Sequence, residues 1–249
     1  MSTLFHLILY KPIFNLLIIF YVLFPIKDMG IAIIILTIVI RIILWPLQRK
    51  TLEAQKSLQE LQPKMREIKE KYKDDLEARN REMIRLYKEH KTNPASSCLP
   101  TLVQLPILLA VFQVFRAGFD PKSLNDIYTF IPSPGIIDKF FLNLTFFDLS
   151  EPNLVLTILT ALVQFWQSKM LMVQKPPITN TGSRDEEVQA AMNKTMVYFL
   201  PVITFLFGLS LPSGLMLYWL VSTLLMGLQQ WWTLTRSKKE SAQQSITHL

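Results

Sequence analysis

The chain is 249 residues long, 50% hydrophobic and 18% charged, with a formal net charge of +7. Mean hydropathy is +0.28 and the apolar residues fall in long blocks, which excludes a soluble globular enzyme, a disordered tail and a secreted disulfide scaffold. The pI of about 9.4 would fit nucleic-acid binding, so the placement of the basic residues decides. The single cysteine, Cys98, excludes an intrachain disulfide.

Residues 13–24 form the first apolar run, bounded by Lys11-Pro12 and Pro25. A span needs about 20 apolar residues, so this run reads as a helix lying in the membrane interface, with an extra span as the alternative. It lacks the basic leader and small-residue cleavage site of a signal peptide. Residues 1–29 are therefore expected to be an extracytoplasmic segment. Residues 30–47 give a first span whose single charge is Arg41.

Residues 48–96 are polar and helix-favouring. Leu58, Leu61, Met65, Ile68 and Tyr72 recur at three- and four-residue steps, as do Leu76, Met83, Leu86 and Tyr87, which predicts two amphipathic helices. A break near Lys73-Asp74-Asp75 folds them into an antiparallel hairpin. Pro63 should kink or restart the first helix, and Asn93-Pro94 should end the second.

Four further spans follow: residues 97–116, 153–173, 196–210 and 211–232. The last two are joined by a Pro-Gly turn that suits antiparallel neighbours. Between them lie an extracytoplasmic loop, 117–152, and a cytoplasmic loop, 174–195. A basic tail, 233–249, closes the chain. The expectation is an all-α integral membrane protein with five transmembrane helices, an N-terminal interfacial helix and a cytoplasmic antiparallel helical hairpin.

Orientation follows from the basic residues. Twenty of the 26 Lys and Arg fall in the hairpin, the 174–195 loop with its flanks, and the tail. Only Lys11, Lys27, Arg116, Lys122 and Lys139 fall on the other side. That predicts N-out and C-in, and it locates the charge by the positive-inside rule. The hairpin mixes 13 basic with 9 acidic residues, without a basic run interleaved with aromatics, so no specific nucleic-acid readout is expected. It reads as a solvated helix pair or as a contact surface for anionic lipid headgroups, a ribosome or an arriving polypeptide, with Pro63, Lys64, Tyr72 and Tyr87 as candidate contact residues.

Arg41 lies 11 residues into the first span, about 16 Å deep at 1.5 Å per residue. An arginine at that depth costs about 2.5–3.5 kcal/mol on insertion scales, and none of the five spans contains Asp or Glu. Water, carbonyls, polar side chains, lipid phosphate or a substrate must therefore solvate it. Thr37, one turn earlier, shares its face. Gln104, Gln113, Gln164, Gln167, Ser213, Tyr218, Ser222, Thr223, Gln229 and Gln230 are the polar residues of the other spans. Each alone suits helix–helix contact; together with an unpaired cation they suggest a shared polar groove that attracts anionic groups.

These residues resemble the YidC/Oxa/Alb membrane protein insertases over most of the chain. The first span, GIAIIILTIVIRIILWPLQRK, resembles the pattern of that family's first span. LQPKMREIKEKYK and EMIRLYKEHKTNP are similar to its two hairpin helices, and CLPTLVQLPILLAVFQVFR to its second span. YFLPVITFLFGLSLPSGLMLYWLVSTLLMGLQQ resembles the closing pair. The resemblance implies a non-hydrolytic insertase and chaperone of the bacterial plasma (inner) membrane, without cofactor. It would move short polar segments through a hydrophilic groove open to cytoplasm and lipid, and release apolar segments into the bilayer. It implies Arg41 as the groove arginine, Thr37 one turn before it, Tyr218 and Trp219 as the aromatic pair at the substrate, and Gln164 as a polar residue of the third span; Gln104, Gln167 and Ser222 complete the expected groove. Expected partners are nascent or newly made membrane proteins and the lipid bilayer, with ribosome and secretion translocon as further candidates.

The chain departs from the family in three ways: no large extracytoplasmic domain or lipoprotein signal is read, Ser97 stands before Cys98 where Gly is usual, and the tail ends soon after Lys239 without a long ribosome-binding extension. A coupled transporter would need a titratable group in the spans, but His6, His90 and His248 lie outside them. A membrane enzyme would need a metal cluster, paired carboxylates, a GxSxG or a P-loop, and none is found.

Overall fold

The computed structural model describes residues 3–25, 27–93, 99–117, 125–135, 137–142, 144–171 and 195–247. The expectations resting on Pro94, Ser97, Cys98, Lys122, Lys175, Arg184, Lys194 and His248, and most of the 174–195 loop, lie outside the described residues. The chain divides into two compact units. One comprises Met1–Ile43, Gln104–Met172 and Lys194–Leu249; the other comprises Leu44–Val103 and Val173–Asn193.

Seven helices and a small hairpin make up the described residues. Helix α1, Thr3–Leu23, is longer than the apolar run that marked it. Pro12 does not start it: a π-helical turn, His6–Tyr10, precedes Lys11-Pro12 and absorbs the donor that proline lacks. Helix α2, Met29–Lys71, runs without interruption through Pro46 and Pro63. Pro63 therefore restarts nothing; strong helix formers on both sides carry the helix past the one missing hydrogen bond. Asp28 caps α2, its Oδ1 accepting from Ile31 N at 2.9 Å.

In the unit containing the polar half of α2, the turn falls at residues 72–75 and α3 spans Leu76–Glu89. Asp75 caps α3, accepting from Glu77 N at 3.1 Å and Ala78 N at 2.9 Å. The two helices fold back on each other: Tyr87 OH donates to Met65 Sδ at 3.8 Å, Lys64 Nζ lies 3.2 Å from His90 Nε2, and Leu61 and Leu86 are buried. The C-terminal end of α3 is closed by Lys91 in the left-handed region, φ +50°. Thr92 N donates to Tyr87 O, and Lys91 N to Lys88 O, the paired bonds of a Schellman ending. The helix thus stops before Asn93.

In the other unit, α4 is Leu99–Ala117, α5 Leu154–Leu171, α6 Leu200–Gly208 after a π-helical turn at Thr195–Phe199, and α7 Ser213–Thr247. Residues 233–247, expected as a tail, continue α7. Helix α5 packs along both α6 and α7. Threonines join them: Thr157 Oγ1 donates to Gly208 O at 3.1 Å and Thr160 Oγ1 to Met216 O at 3.3 Å. The fold is not wholly helical. Strands β1, Phe140–Phe141, and β2, Leu144–Asp148, pair antiparallel between α4 and α5. Phe141 lies so close to Gly30 that a Cβ there would overlap its ring. Leu142 N donates to the α2 cap, Asp28 Oδ2, at 2.5 Å. The hairpin is thereby tied to the start of α2.

This unit exposes apolar side chains and buries polar ones among its apolar core. Tyr198, Phe199, Val202, Leu206 and Phe207 around α6, and Leu154, Val155, Ile158 and Leu162 on α5, are exposed. Thr157, Thr160, Gln164, Gln167, Ser222, Thr223, Gln229 and Gln230 are buried. In water such an exterior would associate; in lipid it needs no cover, and polar residues serve between helices. Among the described residues, Thr3–Leu23 and Met29–Leu58 combine the length and apolarity of a span. Leu102–Arg116, Leu154–Met170 and Val197–Gly208 are apolar but shorter.

Candidate functional site

The site is built on one face of α7. Tyr218, Ser222 and Met226 follow at four-residue steps and so line up. Arg41 projects from α2 onto this row and is 6% exposed. Its Nε donates to Ser222 Oγ at 2.8 Å, its Nη2 donates to the same oxygen, and its Nη1 approaches Met226 Sδ at 3.6 Å. Gln104 on α4 joins from another side, Nε2 donating to Tyr218 OH at 3.1 Å. Helices α2, α4 and α7 thus meet through side chains far apart in the chain.

The electrostatics are one-sided. Among the described residues no carboxylate pairs with Arg41. A hydroxyl and a thioether accept hydrogen bonds but carry no countercharge, so one positive charge stays uncompensated in an interior where Coulomb attraction is several-fold stronger than in water. The arrangement can attract an anion or an electron-rich carbonyl. Among the described residues it contains no group of three metal-ligating side chains.

The other expected site residues distribute as follows. Thr37 is fully buried, but its Oγ1 donates to Ile33 O at 2.6 Å on its own helix, the local bond threonine makes in helices. Gln164 and Gln167 are buried on α5, and Gln164 Oε1 has no protein partner. Trp219 is half-buried and one position off the Tyr218–Ser222 row. Gln113, Gln229 and Gln230 each bury one unpartnered polar atom. The structure therefore unites Arg41, Gln104, Tyr218 and Ser222, and leaves Gln164, Gln167 and Trp219 outside those hydrogen bonds. Met226 was missed, because a methionine in an apolar helix reads as filler.

A profile of the family described as 60Kd inner membrane protein matches residues 19–240. The chain belongs to that family. Among curated relatives, the membrane protein insertase YidC of Treponema denticola is 38% identical over 215 residues, 85% of this chain and 35% of that protein. The one from Fusobacterium nucleatum is 36% identical over 209 residues, 84% of this chain and 87% of that protein. The one from Geobacter sulfurreducens is 36% identical over 204 residues, 82% of this chain and 33% of that protein. The chain thus spans about a third of the length of the first and third, and most of the second. The motifs read as YidC/Oxa/Alb-like belong to the same family, and the chain is a bacterial inner-membrane protein.

Within this family member, the expected hairpin residues occupy the other unit. Pro63 is inside α2, Lys64 faces His90, Tyr72 ends the helix pair at its turn, and Tyr87 bonds Met65. Burial raises the Tyr87 phenol above its ordinary value. Ile84, Tyr87, Lys88, Lys91, Thr92 and Asn93 surround a shallow, open depression at the end of α3.

Three residues not expected to matter, Asn15, His6 and Tyr21, hold α1. Asn15 is 1% exposed. Its Nδ2 donates to Lys11 O at 2.8 Å and to Asp126 O at 3.0 Å, and its Oδ1 accepts from Tyr128 N at 2.7 Å. At the helix ends, His6 Nε2 lies 3.3 Å from Asp126 Oδ2, and Tyr21 OH accepts from Asp138 N at 2.9 Å. A lone Asn within an apolar helix is the signal that could have found it. Asp28, just before an apolar run, is likewise a recognisable cap.

Proposed function

We propose that the chain is a membrane protein insertase and chaperone that works without hydrolysis or cofactor. The observation that carries this is Arg41, buried against Ser222 and Met226 with no acidic partner among the described residues. A substrate's leading carboxylates or backbone carbonyls complete the site transiently, which lowers the cost of drawing a short polar segment into the membrane. Gln104, Tyr218 and Ser222 supply exchangeable hydrogen bonds, Trp219, Gln164 and Gln167 extend the groove, and Thr37 shapes the α2 wall. The following apolar segment partitions into lipid, driven by about 25 cal/mol per Å² of buried apolar area.

In this reading five spans cross the membrane N-out and C-in, with the boundaries read from the sequence. Helix α1 lies in the outer interface. The loop between α4 and α5 touches both His6 and Tyr21, about 22 Å apart along the helix. A loop confined to one side of the membrane meets both ends only if α1 stays on that side. The hairpin is the cytoplasmic contact surface for arriving substrates, with ribosome and translocon as further partners.

The test is insertion into reconstituted vesicles, read by protease protection. Arg41→Glu should impair substrates with acidic leading tails most, and Arg41→Lys should be tolerated better. Equal insertion by Arg41→Glu would remove Arg41 from the mechanism.

A further inference from the structure

The loop between α4 and α5 carries an aromatic tip that the insertion reading does not use. Phe130 is 75% exposed, the most exposed large apolar side chain among the described residues. It is nevertheless held firmly. Its ring stacks on Tyr128 at 5.5 Å between centroids and 16° between planes. Tyr128 N is bonded to the buried Asn15, and Ile131, which is buried, closes the turn by donating from its N to Tyr128 O at 2.9 Å. On the Tyr128 ring also sits the Lys11 ammonium, 5.3 Å from the centroid. Cation, phenol and phenyl therefore form one ladder on α1. One turn before Lys11 lies Leu7, and with Leu4 and Ile8 it gives α1 an exposed apolar surface.

From this arrangement we infer that the Tyr128–Phe130 tip is a lipid anchor. Phe130 enters the outer leaflet at the headgroup–acyl boundary, and Lys11 pairs with lipid phosphate. Three observations select lipid as the occupant. The protein resides in a membrane. The tip continues the exposed apolar surface of α1. The cation beside it matches the charge of phosphate, while the nearby Asp126 carboxylate is already engaged by His6. An aromatic ring with a polar neighbour is the side-chain chemistry favoured at membrane interfaces. The anchor would fix α1 and the loop at one depth, on the side of the bilayer assigned by the orientation proposed above, on which the choice of leaflet rests.

The test uses the full chain with Cys98→Ser, a single cysteine at Phe130→Cys and an environment-sensitive NBD label. It is reconstituted right-side-out in phosphatidylcholine vesicles with or without phosphatidylglycerol. The same label at Lys73→Cys, exposed on the hairpin turn, reports water. With iodide present on both sides of the bilayer, emission at position 130 should be blue-shifted, several-fold less quenched by iodide than at position 73, and quenched by nitroxide lipid added to the outer leaflet. Adding Lys11→Glu should abolish the extra blue shift produced by phosphatidylglycerol. Emission and iodide quenching equal to those at position 73 would overturn the anchor, and an unchanged phosphatidylglycerol effect in Lys11→Glu would overturn the part given to Lys11. Quenching only by nitroxide lipid in the inner leaflet would support the anchor while overturning the orientation.

Discussion

Replacing Ser222 with Asp places a carboxylate where the Arg41 guanidinium now finds a hydroxyl 2.8 Å from its Nε. Two unit charges about 4 Å apart attract by about 4 kcal/mol at an effective dielectric of about 20. Desolvating the new carboxylate costs several kcal/mol, so the net effect on stability should be small, within about 2 kcal/mol. The effect on function should not be small. A substrate carboxylate must now displace an internal one already in place, and since each 1.4 kcal/mol is tenfold, insertion of substrates with acidic tails should fall by about tenfold or more. Ser222→Ala is the contrasting variant. It removes an acceptor from a charged donor, costing about 1.5–3 kcal/mol of stability, yet it leaves the cation free, so insertion should persist. The assay is protease-protected product per unit time in vesicles containing each variant, with melting in detergent measured in parallel. Wild-type insertion of acidic tails by Ser222→Asp, with the protein folded, would refute an uncompensated Arg41 as the working group.

Three further outcomes are expected. Asn15→Ala strands the Asp126 carbonyl and the Tyr128 amide, at about 1–3 kcal/mol each, and should expose residues 125–138 to protease while the hairpin stays protected. Lys91→Gly relieves a left-handed residue at φ +50°, worth about 1–2 kcal/mol, against about 0.4–1 kcal/mol of added unfolded-chain entropy, so the hairpin should gain up to about 1 kcal/mol, read as slower amide exchange in α3. In the loop, partial burial works to raise the Asp148 pKa, but hydrogen bonds from Lys139 and Ser150 outweigh it and hold Asp148 below its ordinary 3.8, while the bond to Asp148 holds Lys139 above its ordinary 10.5. A depressed acid contributes stability above its unfolded value and loses it as pH falls through the folded one; a raised base contributes below its unfolded value and loses it as pH rises through the folded one. The pair should therefore support the α7 start, whose Ser213 Oγ donates to Asp148 O, most fully between those ordinary values. Asp148→Asn should flatten the acid limb of a melting-versus-pH curve.

Much of this fold was readable because it rests on local physics. The hairpin turn follows from Asp75, a cap before an amphipathic run, and the helices follow from long apolar blocks. Arg41 stood out because a charge in an apolar run must be solvated. Its partners were only a pool of polar residues in the sequence. Which of them it meets depends on the crossing of α2, α4 and α7, and Ser222 is 181 positions away. Thr37 shares the Arg41 face by spacing, yet its hydroxyl turns back to Ile33, a choice that spacing cannot show. Pro12 looked like a helix boundary, and only a π-helical turn before it lets α1 begin at Thr3. The loop contacts of Asn15 and the β1–β2 pairing over Gly30 are long-range, and no short window contains both sides.

The most direct measurement of the central claim is photo-crosslinking from the groove. A photoreactive residue at position 218, on the Arg41 row, should capture the polar leading segment of a stalled nascent membrane protein. The same probe at Leu206, exposed on α6, should capture lipid or the apolar segment instead. Strong adducts to the polar segment from 218 and none from 206 are the predicted result. Equal capture of that segment from both positions, or none from 218 while insertion proceeds, would contradict the account.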